Sequence, residues 1–143
     1  MTRIRVSTTI DAPPDRVWAD VRHIARHVEW MEDAVSITFR SERREGVGTT
    51  FDCATRVGPL RLTDRMVVTE WQPGESIGIR HEGAVTGSGR FSIAPEGRGT
   101  RFTWDEVLTF PWRLGGPIGA LAGRPLLQLV WRRNLRNLRA RFG

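Results

Sequence analysis

The chain has 143 residues, a formal charge of +6 and a single cysteine, Cys53. It is long enough for one domain with a real core, has no second cysteine for an internal disulfide, and carries no apolar run of membrane-spanning length. Every residue counted as Lys+Arg is arginine and tyrosine is missing; so complete a bias looks like the coding habit of a GC-rich genome, and the charge by itself names no partner.

Arg3 to Ile10 alternates, with Ile4, Val6 and Thr8 on one side, and predicts a first strand. The run Asp11-Ala-Pro-Pro-Asp15 predicts a helix start. Asp11 caps it, the prolines occupy its first turn, and Asp15 stands where the helix dipole favours an anion. Val17, Trp18 and Val21 supply its buried face, and a second short helix is expected over about His23 to Val28, before Trp30. Ala34 to Ser41 alternates through Val35, Ile37 and Phe39, and a charged loop, Glu42-Arg-Arg-Glu-Gly46, follows.

From there the pattern is a meander. Strands are expected near Thr49–Val57, Leu60–Trp71, Ser76–Glu82, Val85–Ala94 and Thr100–Phe110. The turns between them, at Gly58-Pro59, Gln72 to Glu75, Gly83-Ala84 and Pro95 to Gly99, each carry glycine or proline. A last long helix runs from Gly116 to about Phe142. Trp131, Leu135, Leu138 and Phe142 share one face of it, while Arg132, Arg133, Arg136 and Arg139 lie off that face. Leu121, Arg124 and Gln128 extend the stripe backwards with less apolar character, partly made up by Leu127. Pro125 is expected to kink the helix or to start a second one. This order, one strand, two short helices, six strands and a helix, argues an α+β fold with helices on one face of an antiparallel sheet.

Ile10-Asp-Ala-Pro-Pro-Asp-Arg-Val-Trp18, Trp30, Val68-Thr-Glu-Trp-Gln-Pro73 and Gly99-Thr-Arg-Phe-Thr103 together resemble the START-like superfamily with the helix-grip fold. The nearer branch is the polyketide cyclase/dehydrase and lipid-transport-like family. The likeness covers nearly all of residues 1–143, which are expected to form a single domain. It implies a curved seven-stranded antiparallel sheet wrapped around the C-terminal helix, with an apolar cavity between them. Members bind or transfer hydrophobic ligands or cyclise and dehydrate polyketides, so membership speaks to fold more than to chemistry.

Strand parity then sorts what points inward. The more apolar sets are Phe51, Cys53 and Thr55; Leu62, Asp64, Met66 and Val68; Ile77, Ile79 and His81; Gly87, Gly89, Phe91 and Ile93; and Phe102, Trp104, Glu106 and Leu108. Three ionisable residues break the pattern: Asp64, His81 and Glu106. They read either as polar contacts to a mostly apolar ligand, with a histidine and carboxylates able to move protons, or as the product of a β-bulge or a wet strand end. Gly87 and Gly89 read as room for a ligand or helix, or as a bend in the strand. The expected ligand contacts are Phe51, Cys53, Asp64, Met66, Ile79, His81, Phe91, Trp104, Glu106, Leu127 and Trp131.

The remaining candidates read as structure. No nucleophile signature surrounds Cys53, so a Cys53–His81–Glu106 triad is not favoured. His23 and His27 lie four apart but lack a third ligand, so no metal is expected, and no glycine-rich phosphate loop calls for a nucleotide. The arginines of Trp131 to Arg141 read as the wet side of a gripped helix rather than a nucleic-acid site. Leu114 to Gly123 is apolar and small enough for a mobile lid. The expectation is a cytoplasmic monomer or homodimer without cofactor or stable membrane insertion, binding a hydrophobic or aromatic small molecule such as a lipid or polyketide. The alternatives are a cyclase/dehydratase-like enzyme using His81 with Asp64 or Glu106, and a protein that offers the Arg-rich helix to a macromolecule.

Overall fold

The computed structural model describes residues 2–143. Seven strands, β1 (Thr2–Ile10), β2 (Ala34–Phe39), β3 (Thr50–Val57), β4 (Leu60–Gln72), β5 (Ser76–Glu82), β6 (Thr86–Glu96) and β7 (Gly99–Thr109), form one antiparallel sheet in the order β1-β7-β6-β5-β4-β3-β2. The meander from β3 to β7 uses short turns, a longer loop joins β2 to β3, and β1 closes against β7, so β1 and β2 are the two edges. Helix α1 (Pro14–Val21) and a 3₁₀ turn (Ile24–Glu29) carry the chain from one edge to the other. The long helix α2 (Gly116–Ala140) lies against β1 and β7. This is the expected helix-grip α+β architecture.

Local departures have local causes. Asp11 does not cap α1: the N-cap is Pro13, with Pro14 inside the first turn, where a missing N–H leaves nothing unpaired. Asp15 instead accepts a bond from the Arg16 N–H, 3.0 Å away. The second short helix is a 3₁₀ segment, in which residues four apart do not share a face. His23 is accordingly exposed, while His27 is buried and donates from Nε2 to the Val21 carbonyl at 2.8 Å. In β2 a register shift between Ala34 and Ser36 turns Val35 out to solvent and leaves Ala34 and Ile37 facing in. Pro125 neither ends α2 nor starts a new helix. The carbonyl it leaves unpaired belongs to Leu121, which is 77% exposed and open to solvent.

The two halves of α2 differ. Trp131, Leu135 and Leu138 are buried in the main core with Ile4, Val6, Phe102, Trp104 and Trp30. The Trp131 ring stacks on Trp104 with centroids 4.6 Å apart and an interplanar angle of 14°. Polar bonds stitch the same half to the loop before β2. The fully buried Asn134 accepts from the Glu32 N–H at 2.9 Å and donates to Asp33 Oδ1 at 2.7 Å, and Asn137 donates to the Trp30 carbonyl. Arg141 closes the end on Asp20 and Glu29. The first half holds to the sheet more lightly, through Arg124 on the Arg3 carbonyl, and leaves Ile118, Leu121, Leu126 and Leu129 exposed.

Replacing Asn134 by leucine keeps the volume but strips two bonds from a fully buried position. Urea unfolding is expected to show a loss of about 1–3 kcal/mol. A loss within experimental error would mean that the α2 anchor rests on apolar packing alone.

Candidate functional site

Between the sheet and α2 lies a cavity of about 290 Å³, at the lower end of small-molecule pockets. Its walls come from both apolar clusters of the fold: Trp104, Leu108, Ile77 and Trp131 from the larger, Ile24, Ala34, Phe51 and Cys53 from the smaller. Met66, Ile79, Phe91 and Leu127 complete the apolar lining, and Asp64, His81 and Glu106 interrupt it. The structure therefore places every expected contact residue around one cavity. Leu114, Gly119 and Gly123, from the segment read as a lid, border it too.

The three ionisable residues converge. His81 Nε2 lies 2.6 Å from Glu106 Oε2, and His81 Nδ1 lies 3.4 Å from Asp64 Oδ2, close enough for ion pairing although not in hydrogen-bonding geometry. All three are buried. No bulge explains them, because β4 keeps its parity from Leu62 through Val68 and shifts register only between Val68 and Glu70. Burial is the largest influence on the His81 imidazole and disfavours its charged form. The carboxylates of Asp64 and Glu106 together outweigh it and push the pKa up to about 10. At neutral pH the His81 ring is therefore an imidazolium, lying between the side chains of Asp64 and Glu106.

Convergence needs an empty place on the strand in between. His81 is on β5 and Glu106 on β7, with β6 separating them, and Gly89 pairs with Glu106 across the β6–β7 ladder. A Cβ on Gly89 would lie 2.5 Å from Glu106 Oε1, so the missing side chain is the space the carboxylate occupies. Gly87 serves differently. Its φ of +140° and its closeness to the Val107 carbonyl mark a backbone position open only to glycine, the bend in the strand.

The carboxylates also gather the indole N–H groups. Trp104 Nε1 donates to Glu106 Oε1 at 3.0 Å, and Trp131 Nε1 donates to Asp33 Oδ2 at 3.3 Å. Asp33 lines the cavity and was missed from sequence; burial pushes its carboxyl pKa up, against the pull of Asn134 and Trp131. Asp33 stands just outside a strand, where parity says nothing. Asn134 did carry a signal, a polar residue three after Trp131 and four before Leu138 on the buried face. Cys53 is buried and its thiol pKa is raised to about 11, chiefly by burial, so it is a packing residue rather than a nucleophile.

A sequence model of the family described as "Polyketide cyclase / dehydrase and lipid transport" matches residues 1–143. Among solved structures, TTHA0849 of Thermus thermophilus superposes with a TM-score of 0.82 at 21% identity, covering 99% of this chain and 97% of that one. XoxI of Bacillus cereus gives 0.78 at 14% identity, over 99% of this chain and 96% of that one. The di-domain ARO/CYC StfQ of the steffimycin biosynthetic pathway gives 0.78 at 16% identity, over 96% of this chain and 49% of StfQ. Likeness at such identities shows the fold alone. No curated protein matches. The match over the whole chain and the helix-grip fold agree: the chain belongs to the polyketide cyclase / dehydrase and lipid transport family of the START-like superfamily.

Proposed function

We propose that the protein binds a hydrophobic or aromatic small molecule, lipid-like or polyketide-like, in the cavity between the sheet and α2. The observation that carries this reading is the cavity itself, walled by Phe51, Met66, Ile79, Phe91 and the stacked Trp104–Trp131 pair, with polar groups gathered at Asp64, His81 and Glu106. An apolar enclosure with a few convergent polar groups is the usual form of a small-molecule site. In this reading residues 1–143 act as one cytoplasmic domain without cofactor. Of the arginines at this end of the chain, Arg133 pairs with Glu32, and Arg141, just past α2, pairs with Asp20 and Glu29.

The 2.6 Å contact of His81 with Glu106 supports a second reading, an acid–base enzyme of the cyclase or dehydratase kind. In it His81 is already charged, so the carboxylates are the proton acceptors and the imidazolium is the acid that returns the proton.

Native mass spectrometry of the purified protein, followed by organic extraction, tests the first reading. A co-purifying apolar molecule is expected, and Met66→Trp, which fills the cavity, is expected to lower its occupancy about tenfold or more while leaving the fold intact. A protein that carries nothing and shows no thermal shift with any hydrophobic compound would sink the proposal. Replacement of His81 and Glu106 by glutamine separates the two readings: turnover disappears in the enzyme, whereas affinity merely changes in the binding protein.

The protonation of His81 has its own check. Its folded pKa lies above the unfolded value near 6.5, so its contribution to stability is complete below pH 6.5 and drains away as pH rises towards 10. Imidazole ¹⁵N shifts should report a charged ring at pH 8. A ring that titrates near pH 6.5 would show that the two carboxylates do not control it.

A further inference from the structure

The outside of the protein is basic, which invites the idea of an anionic ligand; the inside says the opposite. Most of the side-chain N–H donors around the cavity are directed at an acceptor. His81 Nε2 and Trp104 Nε1 serve Glu106, while Trp131 Nε1 and Asn134 Nδ2 serve Asp33. His81 Nδ1 faces Asp64 Oδ2 at 3.4 Å, outside hydrogen-bonding geometry. The Nε2 proton of His27 is committed to the Val21 carbonyl, so its Nδ1 is a lone pair, and burial keeps that ring neutral by lowering its pKa to about 4. Arg90 borders the cavity, but its guanidinium is half exposed and bound to Glu70. Apart from His81 Nδ1, what stays free is acceptor capacity: among the described residues Asp64, 8% exposed, keeps Oδ1 without a partner, and Glu106 has lone pairs beyond the two bonds it accepts. The make-up of the wall agrees, since one imidazole ring stands between the carboxyl groups of Asp64 and Glu106, with Asp33 as a further acid beside them.

We propose that the cavity selects its guest by the sign of its polar end, taking an apolar or aromatic molecule whose head donates hydrogen bonds, a hydroxyl or an ammonium group, and turning carboxylates away. This rests on the binding reading above and narrows it. A guest hydroxyl offers a proton to Asp64 or Glu106, whereas a guest carboxylate can reach the His81 Nδ1 proton only in competition with the Asp64 carboxyl group 3.4 Å from it. Desolvating an anion there is offset only by one donor that already faces Asp64.

The test is a set of probes on one scaffold: naphthalene, 2-naphthol, 2-(aminomethyl)naphthalene and 2-naphthoate, titrated into the intact protein at pH 7.5. The alcohol and the amine are expected to bind at least about tenfold tighter than the carboxylate. Naphthoate binding as tightly as naphthol overturns the selection by sign while leaving the cavity reading standing. No binding by any probe, naphthalene included, removes the cavity reading and this inference with it. In Glu106→Gln, or in Asp64→Asn should the first variant fold poorly, the gap between naphthol and naphthoate is expected to close by about tenfold; an unchanged gap would place the discrimination elsewhere.

Discussion

The stack of Trp131 on Trp104 is the contact on which the rest of the architecture depends. It joins the helix to the middle of β7, and it does so from the second half of α2 alone. Leu135 and Leu138 follow on the same face and reach the core residues of β1 and β7. Large aromatic rings remove much apolar area from water, so two stacked indoles plus two leucines hold this half firmly. Before Trp131 that face carries the half-buried Leu127 and the small, buried Ala120. The sheet curls towards the helix, but the apolar clusters do not close around its first half. The cavity is what that incomplete grip leaves behind.

A polar cluster in such a place is a departure from the stablest choice. An apolar set of the same shape at Asp64, His81 and Glu106 would avoid the cost of desolvating three ionisable groups. The chain meets that cost locally: Glu106 takes the Trp104 N–H and the His81 N–H, and Gly89 vacates the volume that the carboxylate fills. The indoles thereby have two duties. Their faces stack to hold the helix, and their N–H groups hold Glu106 and Asp33 at the cavity wall. A change at either tryptophan touches fold and site together.

The strands were legible because period two is a strong signal and the turns carry glycine or proline. Parity on β3 to β7 put Asp64, His81 and Glu106 inward before any geometry was known, and β4 honours it until the shift after Val68. What parity could not give was distance. His81 and Glu106 are 25 residues apart on strands that are not neighbours, and their contact depends on Gly89, whose role as side-chain space looks in sequence like a bend. Elements outside the strands are harder to read. The intrinsic cost of Pro125 says nothing of the solvent exposure that lessens it, and the helical spacing of His23 and His27 is one that a 3₁₀ turn does not keep. Asp33 has no pattern to betray it, for its partners Trp131 and Asn134 come from the far end of the chain.

The protonation of His81 bears on which of the two functional readings the geometry favours. A general base works best when its pKa lies near the working pH, so that it is free to take a proton and able to release it. An imidazole raised to about 10 is already protonated at neutral pH and has nothing to accept with. Its proton also goes to a substrate reluctantly, since removal would leave two buried carboxylates facing a neutral ring. Catalysis would have to start from Asp64, whose Oδ1 is unpartnered, rather than from Glu106, whose two oxygens each already accept a bond, from His81 and from Trp104. Such a cluster is better arranged to hold a polar group still than to pass a proton to and fro. That arrangement supports the proposed binding reading over the enzymatic one.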